Sequence, residues 1–389
     1  MKSWTVLLFS MLLAGCASSP LPPQRAEGMF NDRLFGAASE RISADDLFAL
    51  SPEMKQYLND RIVPLGRAKG NRQGLFDALY SKGQLRLEYD SARTLNAAQA
   101  FTARSGNCLS LVIMTAAFAK EMGLPVTYQS AYLDETWGRS GDIHFFIGHV
   151  NVTLAANQTH MANKTNMVIR PEENDLTIDF LLPREIRGLN TRAIEEETIV
   201  AMYMNNRAAE AFTSGHVDDA YWWARAAIAQ DPKFTSAYNT LGVIYKRHGN
   251  LPEAQRVLAY ALEREPKNTH VMSNLVLVLN ELGRDAEAKA LSSKLEHLDP
   301  NPAFSYFMEG MVAMRKGDYS TAKDLFAKEV QRAPYYHEFH FWLAAAYIGL
   351  GDTERARAEL ALAMETSTTR NSRDLYAAKL DRIRALSVH

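Results

Sequence analysis

The sequence predicts an α+β domain over residues 51–189, followed by an all-α superhelix of paired helices over 195–370. Two patterns carry that prediction. Gly215, Gly249, Gly283, Gly317 and Gly351 recur at intervals of 34 residues without a slip, a period that signals stacked helical hairpins. Ahead of them, a series of helical patterns gives way to three segments rich in β-branched and aromatic residues, the order of an α+β domain. Composition agrees with ordinary globular domains: 389 residues, 47% apolar, 23% charged, enough for two or three full cores. The net charge of −2 comes without a basic cluster, which argues against a nucleic-acid partner.

The first 15 residues read as a secretory signal. One lysine, Lys2, precedes an apolar run over 6–13 that is far too short to span a bilayer. Leu13-Ala14-Gly15-Cys16 resembles a bacterial lipobox, in which the peptide ahead of the cysteine is cut and the cysteine is lipidated. That resemblance implies lipid attachment at Cys16 and a place in the bacterial cell envelope. Because Ala17 is not aspartate, it further implies the outer membrane, facing the periplasm. Residues 16–50, with Pro20, Pro22 and Pro23, read as the lipidated N-terminus and a tether.

Within 51–189, Ser51-Pro52-Glu53 opens a helix with a cap, an N1 proline and an early acid. Helical stretches follow at 74–80 and 97–101. Residues 109–122 are apolar nearly all round, a helix buried at the domain centre, and Gly123-Leu124-Pro125 stops it. Segments 126–133, 145–154 and 176–182 read as strands.

The chemistry-bearing residues lie on these elements. Cys108 stands at the start of the central helix, in Ser105-Gly106-Asn107-Cys108. A helix N-terminus favours a thiolate and can bring a thiol pKa from about 8.5 to roughly 3.5–7.5. Position alone leaves two readings open, a nucleophile or a small buried core residue. With Cys16 lipidated, Cys108 has no partner for an intramolecular disulfide, since the chain has two cysteines. His149 shares a strand face with Phe145, Ile147 and Asn151 by period-two alternation. Asp179 is flanked by apolar residues, where a carboxylate is costly unless paired or exposed. Singly, His149 reads equally as a core histidine and Asp179 as a solvent-face acid. Together, in the order thiol, histidine, acid, they match the needs of thiol catalysis.

These motifs resemble the transglutaminase-like superfamily over residues 75–185, a papain-like fold class. The resemblance rests on Arg104-Ser105-Gly106-Asn107-Cys108 before a buried helix ending Met122-Gly123-Leu124-Pro125, on Gly148-His149-Val150-Asn151-Val152, and on Thr177-Ile178-Asp179-Phe180. It implies acyl transfer: Cys108 attacks a carboxamide to give a thioester, His149 serves as base and acid, and Asp179 orients the ring. The chain departs from the family at Asn151, where an aromatic residue is common, and in a polar insertion over 155–166. His144 is a second candidate base and Asp175 a second candidate acid. No cofactor is implied and no metal-ligand spacing is visible; Asp134, Glu135 and Asp142 read as solvated loop charges rather than a calcium site.

Over 195–370, Pro232, Pro266, Pro300 and Pro334 keep the 34-residue interval, as do Ala220, Ala254, Ala288, Ala322 and Ala356. This grammar resembles five tetratricopeptide repeats, the glycine ending the first helix, the alanine admitting close packing, the proline breaking the chain. Residues 371–387 carry Leu375, Tyr376, Leu380, Ile383 and Leu386 at helical spacing, a capping helix. Such stacks present a concave face to a protein or peptide. Asn206, Arg247, Asn274, Arg315 and Lys316 are the candidates on it, against the plainer reading of a solvated polar face. Two functions follow: a lipid-anchored envelope thiol enzyme, a protease or amidase, whose repeats bind a partner or substrate, or a non-catalytic adaptor or assembly factor with the N-terminal domain as scaffold.

Overall fold

The computed structural model describes residues 28–386 apart from 82–83, 86, 92, 132–136, 141–142, 147–148, 156–174 and 181–190. The expected signal segment and Cys16, residues 156–166 of the polar stretch, and Asp134, Glu135 and Asp142 lie outside the described residues. No described helix is long and apolar enough to cross a membrane.

The N-terminal part opens as its sequence dictates. Ser51 Oγ accepts from the Met54 N–H at 3.3 Å and caps α1, Pro52–Tyr57. A wide turn over Leu58–Ile62 carries the chain into α2, Val63–Lys69, and α3, Asn71–Tyr80, follows. The short strands β1, Glu88–Tyr89, and β2, Ser105–Gly106, pair in parallel and flank α4, Ala97–Ala103. Helix α5, Cys108–Glu121, is buried on every side from Cys108 through Ala119, because ten of those twelve side chains are apolar and a helix without a polar face has no surface to offer water.

An antiparallel sheet packs with α5. Its strands are β3, Val126–Ala131; β6, His149–Leu154; β7, Leu176–Ile178; and β8, Thr191–Ile194, in the order β7-β6-β3-β8. A separate hairpin holds β4, Trp137–Ser140, against β5, Ile143–Phe146. The single strand expected over 145–154 is therefore two strands in two ladders: residues up to Phe146 bond to β4, and those from His149 bond to β3 and β7. Strand β8 lies beyond residue 189, so the sheet closes on the segment that leads into the helical array.

The array comprises five helical hairpins. They are α6, Glu196–Thr213, with α7, Val217–Gln230; α8, Thr235–Arg247, with α9, Leu251–Arg264; α10, Thr269–Glu281, with α11, Asp285–Leu298; α12, Ser305–Arg315, with α13, Tyr319–Arg332; and α14, His337–Gly349, with α15, Thr353–Glu365. Helix α16, Arg370–Leu386, covers the end. The repeating glycines stand at φ between 71° and 85°, a left-handed turn open to glycine at no steric cost. After each one, the next residue donates its N–H to the carbonyl five positions back at 2.9–3.0 Å, closing the helix end. The repeating alanines are at most 2% exposed, so each admits a neighbouring helix.

Two features were not visible in the pattern. Residues 29–40 do not hang free as a tether. Phe35 stacks on Tyr221 with ring centroids 3.9 Å apart, and the Ser39 N–H and Oγ–H both reach the Asp219 carboxylate at 2.6 Å. Trp223 Nε1 donates to Glu40 at 2.7 Å. The second feature is a seam between the third and fourth hairpins. One core runs from Met29 to Ala288 and another begins at Phe304. Val312 occupies the repeat position of Ile244, Val278 and Ala346, which are fully buried, yet it is 40% exposed. Pro300, Pro302 and the left-handed Phe304 (φ 64°) turn the chain there.

Phe35→Ala is expected to lower the stability of the first hairpins by about 3 kcal/mol, the cost of an aromatic side chain removed from a packed site. Chemical denaturation checks this; a change within about 0.5 kcal/mol would mean that residues 29–40 lie on the array without contributing to it.

Candidate functional site

The site is built on the turn that begins α5. Arg104 ends α4 in the left-handed region, φ 52°, and Ser105-Gly106 then pairs with β1. A Cβ on Gly106 would lie 2.7 Å from Ser110 Cβ, so only glycine lets this strand close on the helix. Asn107 is the N-cap: its Oδ1 accepts from the Ser110 N–H at 2.9 Å and the Ser110 hydroxyl at 2.8 Å. Cys108 follows as the first helical residue, 6% exposed and free. Its own backbone N–H belongs to the first turn, where the helix supplies no acceptor.

Strand β6 brings His149 to this turn, and β7 brings Asp179. The β6–β7 register sets Val152 opposite Ile178, which carries Asp179 alongside Asn151 at the strand end. His149 Nε2 bonds to Asp179 Oδ1 at 2.7 Å, and both side chains are almost fully buried. Asn151 Nδ2 donates to the other carboxylate oxygen at 3.1 Å. The Cys108 side chain lies close enough to the His149 ring to favour its charged form. Burial is the largest single influence on this histidine and works against its charged form. Hydrogen bonds to Asp179 and Cys108, with the charges of both, outweigh it and raise the pKa to about 9. The arrangement can hold an imidazolium between a sulfur and a carboxylate at neutral pH.

Of the residues singled out from sequence, Cys108, His149 and Asp179 therefore meet. Asp179, rather than Asp175, is the carboxylate on His149; Asp175 lies half-buried ahead of β7. His144 falls on β5 opposite Arg139, in the other ladder, and its side chain lies outside the described residues. Sequence places Asn151 on the His149 strand face and marks it as a departure from the family pattern; its role as a second anchor for Asp179 emerges from the structure. The signal was present: it stands two residues from His149 on the same strand face. Its Oδ1 is buried with no hydrogen-bond partner among the described residues. A surface cavity of 340 Å³ is lined by Glu53, Tyr57, Arg61, Phe101 and Arg104 and includes none of the three.

The five candidates on the array do not form one cluster. Asn206 is spent inside the molecule, donating to Thr94 Oγ1 at 3.2 Å. Asn274 donates to Asn239 at 2.9 Å between α10 and α8. Arg247, Arg315 and Lys316 are exposed at the C-terminal ends of α8 and α12, where their charge suits the helix dipole.

Family models described as tetratricopeptide repeat match residues 223–256, 247–309 and 313–378. The C-terminal half carries tetratricopeptide repeats. A curated relative, the TPR repeat-containing protein YvcD of Bacillus subtilis (strain 168), is 23% identical over 187 residues. That match spans 48% of this chain and only 38% of the relative's length. Among solved structures, the chain is similar to YrrB, described as a TPR protein with an unusual peptide-binding site, at 21% identity and a TM-score of 0.25, covering 46% of this chain and 92% of that one. It is also similar to TTC0263, a thermophilic TPR protein of Thermus thermophilus, at 19% identity and a TM-score of 0.30, covering 46% and 98%.

The His149 ring is expected to titrate near pH 9 in the folded chain, followed by NMR of its carbon-bound protons, and Asp179→Asn should bring that midpoint down by more than about one unit. Because the folded pKa is raised, the contribution of His149 to stability is full below about 6.5 and fades as pH rises through about 9. A wild-type midpoint at or below 6.5 would mean that the ring is not held between the two partners.

Proposed function

We propose that this chain acts as an interaction protein, its tetratricopeptide array docking a protein or peptide partner while the N-terminal domain serves as a scaffold fixed to the first hairpins. The observation that carries this is the match of tetratricopeptide models across residues 223–378. Tetratricopeptide-repeat proteins bind peptide or protein partners, and stacked hairpins create an extended inner surface for them. The matches favour this adaptor role over the thiol-enzyme role. Asn239 and Asn274, bridging neighbouring first helices of the hairpins, are the side chains assigned to a peptide backbone; Arg247, Arg315 and Lys316 supply positive charge at the rim. Lipid attachment at Cys16 would hold the adaptor at the outer membrane, facing the periplasm, as a docking component of an envelope complex.

Site-specific photo-crosslinking from position 274, with the full chain in its native envelope, tests the adaptor role. One dominant protein adduct is expected, reduced by Asn239→Leu. Absence of any adduct from position 274 and from position 247 would remove the basis for a partner on this face.

A second reading rests on a specific observation, the buried His149–Asp179 hydrogen bond with the Cys108 side chain beside the ring. In it the domain is a transglutaminase-like thiol hydrolase or acyltransferase. His149, oriented by Asp179, holds the proton that Cys108 gives up as its sulfur adds to a carboxamide carbon, and the Cys108 backbone N–H donates to the developing oxyanion. His149 then protonates the leaving nitrogen, and water or an amine cleaves the thioester. Under this reading, Cys108 should be alkylated much faster in the wild type than in His149→Ala. Equal rates in both proteins would leave the domain as a scaffold.

A further inference from the structure

Asp90, Ser91, Thr94 and Leu95 touch the Cys108 turn on one side and both ends of the repeat array on the other. On the side of Cys108, the Asp90 N–H donates to the Gly106 carbonyl at 3.0 Å, and the Leu95 N–H donates to Ser110 Oγ at 2.8 Å. Between them, Asn107 Nδ2 donates to Thr94 Oγ1 at 2.9 Å. Gly106, Asn107 and Ser110 are the residues that shape and cap the start of α5, so this loop is the outer support of the Cys108 turn.

The other side of the same loop belongs to the array. Helix α6 contributes two bonds to Thr94: Glu210 Oε1 accepts its N–H at 2.6 Å, and Asn206 Nδ2 donates to its hydroxyl oxygen. Glu210 is held in turn by Arg207 at 3.1 Å, and Arg207 bonds to Glu40 of the docked N-terminal segment. At the far end of the array, in the turn after α15, Thr368 holds Ser91 through both its acceptors: its carbonyl accepts the Ser91 N–H at 2.9 Å and, more weakly, the hydroxyl at 3.4 Å, and its Oγ1 accepts the Ser91 hydroxyl at 2.8 Å. Ser91 and Thr368 are 277 positions apart in sequence. Thr94 is 2% exposed, so its bonds are shielded from competing water.

We infer that Thr94 and Ser91 are positioning residues through which the first and last hairpins set the placement of Cys108. The first and last hairpins are the ends of the surface assigned to a partner. A partner that changes the curvature of the array changes the spacing of its ends, and the loop gripped between them carries that change to the Asn107 cap. This inference rests on the second reading for what Cys108 does, and on the bonds above for how it is held.

The test uses the full chain and measures iodoacetamide modification of Cys108 from pH 5 to 10, located by mass spectrometry of the Cys108 peptide. Thr94→Val removes the hydroxyl acceptor and keeps the shape. Both the Asn107 and the Asn206 amides lose their acceptor, and modification is expected to slow by about fivefold or more, the worth of at least one net hydrogen bond, with Thr94→Ser restoring the rate. Asn206→Ala and Thr368→Val, on the array and away from α5, should slow it in the same direction and alter its pH profile. Should Thr94→Val fail to fold, those two variants decide. Wild-type rates and profiles in folded Asn206→Ala and Thr368→Val would overturn the inference. His149→Ala, run alongside, separates the two claims: an unchanged rate there removes the thiol–imidazole pair, whereas unchanged rates in the array variants remove the coupling.

Discussion

One helix, α6, belongs to two structures at once, and the rest of the molecule is arranged around that. Ile199, Tyr203, Met204, Ala208 and Phe212 are buried in a core that runs without interruption from Met29 through α5 and the sheet to Ala288. At its N-terminal end, Glu196 accepts from Lys120 of α5 and from the Tyr128 hydroxyl of β3, both at 2.7 Å. At its C-terminal half, Asn206 and Glu210 hold Thr94. A helix stacked only on its hairpin partner would present a polar outer face; α6 instead fills that face with the N-terminal domain. The docked segment over 29–40 adds to the arrangement through Tyr221 and Asp219 of α7 and through Arg207 of α6.

The buried polar line of Cys108, His149 and Asp179 sits inside that packing. An ionised pair removed from water is costly, and such a pair survives where each remaining lone pair and proton finds a partner. Asp179 meets this requirement with His149 on one oxygen and Asn151 on the other. Such a network specifies one arrangement of β6, β7 and the start of α5 more tightly than apolar packing would, which suits a site and equally suits a scaffold that must present one surface to its partner. The adaptor and enzyme readings thus share a physical basis and differ only in whether Cys108 meets a substrate.

Much of this was legible in sequence because it is local. The glycine, alanine and proline intervals report turn geometry and helix contact, and the positions they mark behave as those residue types require. The all-apolar run after Cys108 announced a central helix, and alternation put His149 and Asn151 on one face. What could not be read is non-local. Nothing in 29–40 reveals that Phe35 finds Tyr221, because that stacking depends on where α7 lies. The division of 145–154 between two ladders depends on which strand each half meets. Asn206 reads from its repeat position as a polar face residue, and its bond to Thr94 is not legible because it depends on a loop that comes to lie against the first hairpin. The seam between α11 and α12 is hinted at by Pro300 and Pro302, but a second proline inside a repeat boundary does not by itself separate two stacks.

Shared burial of α6 makes the N-terminal domain and the first hairpins one cooperative body rather than two domains on a linker. Native-state hydrogen exchange on the full chain tests this directly. The amides of α5 and β6 and those of α6 and α7 should become exposed together, with a common opening free energy and a common response to denaturant. Exchange of α5 and β6 through a separate, lower-energy opening, while α6 to α9 stay protected, would show two independent bodies instead.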